Sequence, residues 1–124
     1  MNDNALSEST KNVLRELVVD SDFAKTRRNV EAWSVERGLD KADPAKQMLK
    51  MTEEVGELAA AIARSNPVEQ ADAVGDVLVV LTILCQQLKL DLHTCFLFAY
   101  ETIKNRQGKT VNGVFVKNAD LMPE

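Results

Sequence analysis

The chain has 124 residues, of which 45% are hydrophobic and 27% charged, the ordinary balance of a globular protein with one modest core. Its formal net charge of −4 argues against a general binder of nucleic-acid polymers or membranes. The polar, acidic start shows no signal peptide, and the longest apolar run, 77–85, is too short to span a bilayer, so we expect a cytoplasmic protein.

The first 21 residues carry weak structural signals. Their apolar residues have helical spacing, so this segment is either a short amphipathic helix or a weakly structured arm. We expect the main domain over residues 22–118 and a short tail over 119–124.

Four helices are expected in the main domain. Asp22 is a plausible cap for the first, which Gly38 ends, and Asp43-Pro44 opens the second, with proline at its first position. The second helix carries an apolar stripe at three- and four-residue spacing. The stripe consists of Met48, Met51, Val55, Ala59 and Ile62.

A break at Asn66-Pro67 separates the second helix from the third, which is expected over 67–88. The fourth follows Asp91 and stops near Gly108. Asn-Gly between Val111 and Val114 then suggests a tight turn. Short connections between these helices predict an all-α protein, a bundle of four to five helices.

The third helix is apolar on nearly every side after Asp76, in the run VLVVLTILC. A helix that is hydrophobic all round is buried all round, and one small bundle would struggle to surround it. We therefore expect a homo-oligomer, in which a second subunit completes the burial.

Two acidic clusters lie on consecutive helices: Glu53, Glu54 and Glu57 on the second, and Asp72 and Asp76 on the third. In an antiparallel hairpin around the Asn-Pro break, both clusters lie at about the same height, roughly 14 Å from the turn at 1.5 Å per residue. Five converging carboxylates repel one another unless they hold a cation, and oxygen ligands suit Mg²⁺ or Mn²⁺. This pattern points to phosphate chemistry.

The alternative is a solvated acidic face, which charge runs on helices usually form. Two observations favour the cation site. Glu53 and Glu57 are like charges four residues apart, which is unfavourable within a helix. Asp72 and Asp76 also lie on a stripe that continues into apolar residues, and acids entering a buried seam need partners or a metal.

Three segments, QMLKMTEEVGELAAAI, DAVGDVLVVLTIL and AYETIKNRQGKTVNGVFVK, resemble the MazG-like all-α nucleotide pyrophosphohydrolases. The resemblance covers roughly residues 28–118. The family's EExxE motif matches the glutamate cluster. In its ExxD motif, Asp76 matches the aspartate, Ala73 stands where the glutamate is expected, and Asp72 is the obvious substitute.

The resemblance implies a helical dimer or tetramer that uses Mg²⁺ and hydrolyses (deoxy)nucleoside triphosphates to the monophosphate and pyrophosphate. It implies metal ligands at Glu53, Glu54, Glu57 and Asp76, with Asp72 provisional. Water would attack the α-phosphorus, and either Glu53 or Glu54 would orient or deprotonate that water.

Six further side chains are candidate substrate contacts: Lys50, Trp33, Gln47, Lys104, Asn105 and Arg106. Most have structural alternatives. Lys50 could simply pair with Glu54, Trp33 could anchor the core, and Gln47 could be exposed. The two cations that end the fourth helix favour the helix dipole whatever the function.

Two other functions stay open on the sequence. One is a related pyrophosphohydrolase with a specialised substrate, such as phosphoribosyl-ATP or an alarmone. The other is a non-catalytic helical interaction module, which the departure at Ala73 keeps in play. A module of that kind would bind no divalent cation.

Overall fold

The computed structural model describes residues 6–19 and 21–122. In these ranges the chain is mostly helical, which confirms the all-α prediction. The α-helices are α1 (Glu8–Val19), α2 (Phe23–Glu36), α3 (Pro44–Ala63), α4 (Pro67–Gln87) and α5 (Leu92–Ile103). The strands are β1 (Gly108–Val111) and β2 (Val114–Lys117), and two 3₁₀ turns lie at Leu39–Lys41 and Asn118–Asp120.

The described residues up to Leu90 belong to one compact unit, and those from Asp91 onward belong to another. The helix α1 corresponds to the helical alternative for the first 21 residues, although 1–5 and 20 lie outside the described residues. Of the predicted tail, 123 and 124 lie outside them too. No single helix in the described part of the chain is both long and apolar enough to cross a bilayer.

Side-chain caps set the beginnings of four helices. The Asp22 carboxylate accepts the backbone N–H of Lys25 at 2.7 Å before α2, and Asp43 accepts that of Ala45 at 2.9 Å before α3. Asn66 caps α4, and Asp91 caps α5. Each cap satisfies an N–H that the first turn of a helix leaves without an intrahelical partner. The expected caps at Asp22 and Asp91 are therefore confirmed.

The first unit is built around α4, on which α2, α3 and the Leu39–Lys41 turn all pack. Its core consists mainly of aliphatic side chains from the second half of α4, with Met51 and Ala61 from α3. Glutamine side chains also join these elements. The Gln86 amide donates to the Glu31 carbonyl of α2 at 3.1 Å, and the Gln87 amide donates to the Leu39 carbonyl at 2.9 Å.

Of the apolar stripe predicted for α3, Met51 is buried as expected, but the other four residues are exposed. Met48, Val55 and Ile62 are 50%, 49% and 59% exposed, whereas Met51 and Ala61 are buried. The buried face is rotated by about one residue, because α3 carries apolar residues on two adjacent faces and α4 packs on the face that includes small Ala61. This rotation also turns Glu54 inward.

Over much of the length of α4, residues of the same chain are enough to bury its apolar side chains. Val80, Ile83, Leu84 and Cys85 are all buried in the single chain. The premise that one chain could not surround this helix is therefore wrong for its second half. Several apolar residues of the first unit do stay exposed, among them residues on the outward face of α3 and near the start of α4.

The second unit contains α5 and a two-stranded antiparallel hairpin with Val111 paired to Val114. Asn112 and Gly113 form the two-residue turn, with φ of 51° and 80°. Asparagine and glycine are the residues that tolerate positive φ at both central positions of such a turn. The tight turn predicted from Asn-Gly is confirmed.

Candidate functional site

A cavity of about 310 Å³ lies between α3 and α4 in the first unit. All five acids that the sequence predicts as ligands line it. The complete lining is Glu53, Glu54, Glu57 and Arg64 from α3 and its C-cap, and Glu69, Asp72, Ala73 and Asp76 from α4. The two acidic clusters therefore meet at one site, as an antiparallel hairpin requires.

The turn between the helices determines this meeting. Ala63 ends α3, and the Asn66 carboxamide accepts the Glu69 N–H at 3.2 Å to start α4. Ser65 takes a positive φ of 51°, which reverses the chain between the two helices. The Gln70 side chain then donates to the Ala61 carbonyl at 3.3 Å, joining the first turn of α4 to the last of α3.

Glu54 is the most enclosed acid of the α3 cluster. Its side chain is 12% exposed, compared with 59% for Glu53. The Lys50 Nζ lies 3.2 Å from a Glu54 carboxylate oxygen and 3.4 Å from one of Glu53. The hydrogen bond to Glu54 is the main reason that the pKa of Lys50 is raised. Lys50 therefore makes the Glu54 ion pair considered from sequence, at the edge of the acidic site.

The neighbouring acids make the ionised form of Asp76 less favourable. Its pKa is raised, first by burial and then by the negative charges of Asp72 and Glu54, while Lys50 offsets part of this shift. An ionised Asp76 is therefore destabilised by its surroundings when no cation is bound. A divalent ion would reverse that electrostatic penalty.

The donor set fits a hard cation, since all five predicted ligands offer carboxylate oxygens to one cavity. Their side chains are not yet arranged as a coordination shell. Within 6–19 and 21–122, no three His, Cys, Asp or Glu side chains form a ready metal-binding group. Glu53 and Glu54 instead each have a carboxylate oxygen close to the Lys50 Nζ, at 3.4 and 3.2 Å.

The position that lacks the expected glutamate is occupied by buried Ala73, which still lines the cavity. Its neighbour Asp72 is exposed and lines the same cavity. Asp72 also acts on Asp76 through its charge. A carboxylate is thus supplied near the expected position by the preceding residue.

A mainly apolar groove of about 400 Å³ between α2 and α4 adjoins the acidic cavity, because Asp72 and Asp76 line both. Phe23, Val30 and Val79 are among its apolar residues. A smaller hollow containing Trp33 shares Val30 and Val79 with the groove. An apolar surface therefore extends along α2 and α4 from the acids toward Trp33.

Trp33 is 44% exposed, so the alternative of a core anchor is wrong. The Arg37 guanidinium lies 4.1 Å from its ring centroid and covers one face. Gln47 is half-buried, and its side-chain amide donates to the Val80 carbonyl at 3.3 Å. That hydrogen bond joins α3 to α4 and gives Gln47 a structural role.

Lys104, Asn105 and Arg106 lie in the second unit, just beyond α5, and all are exposed. Lys104 forms an ion pair with Glu101 one turn earlier on α5. Their predicted contact with substrate stays a prediction.

Sequence reasoning missed Arg64, which lines the cavity. A signal for Arg64 was present. It lies seven residues after Glu57, and seven residues are nearly two full helical turns, so both fall on one side of α3. The groove along α2 was also missed, because its lining comes from two helices that are not adjacent in sequence.

The comparisons with known proteins agree with this site. The phosphoribosyl-ATP pyrophosphohydrolase family model matches residues 23–115, a range that contains α2 through β1. An uncharacterized 18.2 kDa protein in the rep-hol intergenic region of Haemophilus phage HP1 (strain HP1c1) is 36% identical over 72 residues. The match covers 57% of this chain and 44% of that protein, so the chain spans under half of the relative's length. No solved structure matches the chain.

The family match covers most of the chain, including every carboxylate of the cavity. It confirms the resemblance to the MazG-like nucleotide pyrophosphohydrolases. The chain belongs to the phosphoribosyl-ATP pyrophosphohydrolase family, within the MazG-like nucleotide pyrophosphohydrolases.

Proposed function

We propose that this protein is a Mg²⁺-dependent nucleoside triphosphate pyrophosphohydrolase that releases a (deoxy)nucleoside monophosphate and pyrophosphate. The observation that carries the proposal is the convergence of five carboxylates on one cavity between α3 and α4. Asp76, with its raised pKa, shows that this arrangement is costly without a cation. Such a cost is expected of a site that serves ligand binding rather than folding.

Glu53, Glu54, Glu57, Asp72 and Asp76 would hold the metal, and Mn²⁺ is a plausible substitute for Mg²⁺. When bound, the ion would neutralise negative charge on the phosphate oxygens and so favour attack by water. Glu54 would have to exchange its ion pair with Lys50 for the metal. Lys50 would then be available for a phosphate oxygen, as predicted from sequence.

Glu53 or Glu54 would orient the attacking water and accept its proton. The water oxygen forms a bond to the α-phosphorus. The bond between that phosphorus and the oxygen bridging to the β-phosphate breaks, and pyrophosphate leaves with the bonding electrons. The proton held by the glutamate passes to solvent when the products depart.

The groove between α2 and α4 would take the nucleoside, because it is apolar and shares Asp72 and Asp76 with the acidic cavity. The Trp33 face away from Arg37 would be available to stack on a base. Lys104, Asn105 and Arg106 remain proposed phosphate or ribose contacts from the second unit.

A second candidate substrate is phosphoribosyl-ATP, which the name of the matching family favours. This substrate carries an additional phosphoribosyl group, whose phosphate would require its own cationic contact. The cation that lines the groove, Arg27, lies 3.3 Å from the Glu31 carboxylate. A nucleoside triphosphate needs no such second contact, and we therefore rank it first.

We also propose that the chain forms a homo-oligomer, a dimer or a tetramer. The support is the outward apolar face of α3, on which Met48, Val55 and Ile62 are half-exposed and Leu49 is 72% exposed. A second copy of the chain would cover it most simply, because closed symmetric homo-oligomers are the commonest solution. Multi-angle light scattering of the wild type and of Ile62→Glu tests this. A wild-type monomer would refute it.

The deciding experiment measures product release from ribo- and deoxyribonucleoside triphosphates and from phosphoribosyl-ATP, with Mg²⁺ and with EDTA. We expect monophosphate plus pyrophosphate from at least one triphosphate, lost in EDTA and in Glu54→Gln. Exclusive turnover of phosphoribosyl-ATP would select the second candidate. No turnover and no Mg²⁺ binding by a folded protein would leave the non-catalytic module.

A further inference from the structure

Arg64 is the one cation among the described residues that line the acidic cavity. It forms the C-cap of α3, beside the turn to α4. Six acids share that lining with it, the five proposed ligands and Glu69. A phosphorylated substrate entering this strongly negative cavity needs positive charge besides the metal, and Arg64 supplies it there.

The guanidinium of Arg64 is held in place but keeps hydrogen-bonding capacity. Its Nε and Nη2 donate to the same Glu69 oxygen, Oε2, at 3.1 and 2.9 Å. Of the five N–H donors of an arginine, these bonds occupy two and leave three. The side chain is 57% exposed, so the remaining donors are accessible to a ligand.

The position of Arg64 along the hairpin indicates which end of a substrate it would meet. It lies seven residues beyond Glu57, about 10 Å along the helix axis toward the turn. The apolar groove instead follows α4 from Ala71 away from the turn as far as Thr82. The groove therefore continues past Asp76 on the side away from the turn, whereas Arg64 lies at the turn end of the cavity.

We propose that Arg64 binds the terminal phosphates of the substrate, and hence the pyrophosphate that leaves. This inference rests on the proposed function and adds the direction in which the triphosphate lies. The planar guanidinium of Arg64 can donate to two phosphate oxygens at once. Positive charge at this end stabilises the negative charge that develops on the leaving group.

The test compares Arg64→Gln and Arg64→Lys with Arg28→Gln. Arg28 is exposed on α2 and does not line the cavity or the groove, so its variant removes the same charge elsewhere. The binding of pyrophosphate and of nucleoside monophosphate, each with Mg²⁺, is measured by calorimetry, and kcat and KM follow for any triphosphate turned over.

We expect Arg64→Gln to weaken pyrophosphate binding about tenfold, the effect of one charge-assisted hydrogen bond at a partly exposed site, with monophosphate binding unchanged. Arg64→Lys should recover part of the loss, and Arg28→Gln should show none. Unchanged pyrophosphate affinity in Arg64→Gln would overturn the proposal. An equal loss for both ligands would also overturn it, because the loss would then not be specific to the pyrophosphate end of the site.

Measuring pyrophosphate binding directly distinguishes a failure of this inference from a failure of the proposed function. If the wild type turns over no triphosphate yet loses pyrophosphate affinity through Arg64→Gln, the Arg64 assignment stands and the proposed reaction falls. If turnover is normal in Arg64→Gln and pyrophosphate binding is unaffected, the reaction stands and the assignment falls. A wild type that binds no pyrophosphate at millimolar concentration contradicts the assignment as well.

Discussion

The variant Asp76→Asn tests whether the carboxylates of the cavity bind a cation or stabilise the fold. The pKa of Asp76 is raised by burial and by the charges of Asp72 and Glu54, so its ionised form destabilises the metal-free protein. Asparagine has nearly the same shape and no charge. It should therefore stabilise the metal-free protein while removing a proposed metal ligand.

The size of the stabilisation can be estimated, although the charge of Lys50 opposes part of it. Asp72 and Asp76 lie four residues apart on α4, and a like-charge pair at this spacing costs about 0.2–0.5 kcal/mol. The effects of burial and of Glu54 act in the same direction. For a domain of this size, Asp76→Asn should then raise the melting temperature in EDTA by about 1–2 °C.

In saturating Mg²⁺, the wild type should instead melt at a higher temperature than Asp76→Asn. A ligand at 100 times its dissociation constant stabilises the native state by about 2.7 kcal/mol, or roughly 10 °C for a chain of this length. The wild type should gain that stabilisation, and Asp76→Asn should lose most of it. Turnover of the variant should fall by more than about a hundredfold, because the reaction depends on the bound ion.

The pH dependence of the metal-free protein follows from the same shift. Because the folded-state pKa of Asp76 lies above its ordinary value of 3.8, the native state binds more protons than the unfolded state between those two values. The contribution of Asp76 to stability therefore rises as pH falls through its folded-state pKa. The thermal advantage of Asp76→Asn in EDTA should shrink over that same interval.

Scanning calorimetry in EDTA and in Mg²⁺ measures these effects. Glu16→Gln is the control, since Glu16 is exposed on α1 and lies outside the cavity. If Asp76→Asn melted below the wild type in EDTA, Asp76 would be a stabilising structural residue. An unchanged Mg²⁺ response or near-normal turnover in the variant would refute the site assignment.

Three further predictions concern the scaffold. Met51→Ala should lower the free energy of unfolding by about 2–4 kcal/mol in urea, because Met51 is a buried α3 side chain, and a loss below about 1 kcal/mol would contradict its core role. Asn66→Ala should cost about 1 kcal/mol through loss of the α4 cap, and Asn66→Asp should restore it. Gly108→Ala should destabilise the hairpin by about 1–3 kcal/mol, because the added Cβ would collide with the Val116 carbonyl. Amide exchange across the hairpin measures this loss, and Thr110→Ala is the control.

Sequence pattern alone determined most of the local structure. Asp22 and Asp91 were recognised as caps because their side chains accept hydrogen bonds from N–H groups three residues on, an interaction contained within one helical turn. The Asn112-Gly113 turn follows from backbone sterics alone. The meeting of the two acidic clusters could also be predicted, because helical rise and one short turn fix their relative height.

Tertiary packing decided what depends on the rotation of one helix against another. On α3, apolar residues occupy two adjacent faces. Periodicity therefore selected Met51 correctly, but it also selected Val55 and Ile62, which are exposed, and missed Ala61, which packing buries. That rotation turns Glu54 inward and brings Arg64 into the cavity. The groove beside Asp76 likewise exists only when α2 lies on α4, because its lining comes from helices separated by α3 in the chain. Periodicity along one helix records which residues are apolar, whereas only contact between helices determines which of them the partner covers.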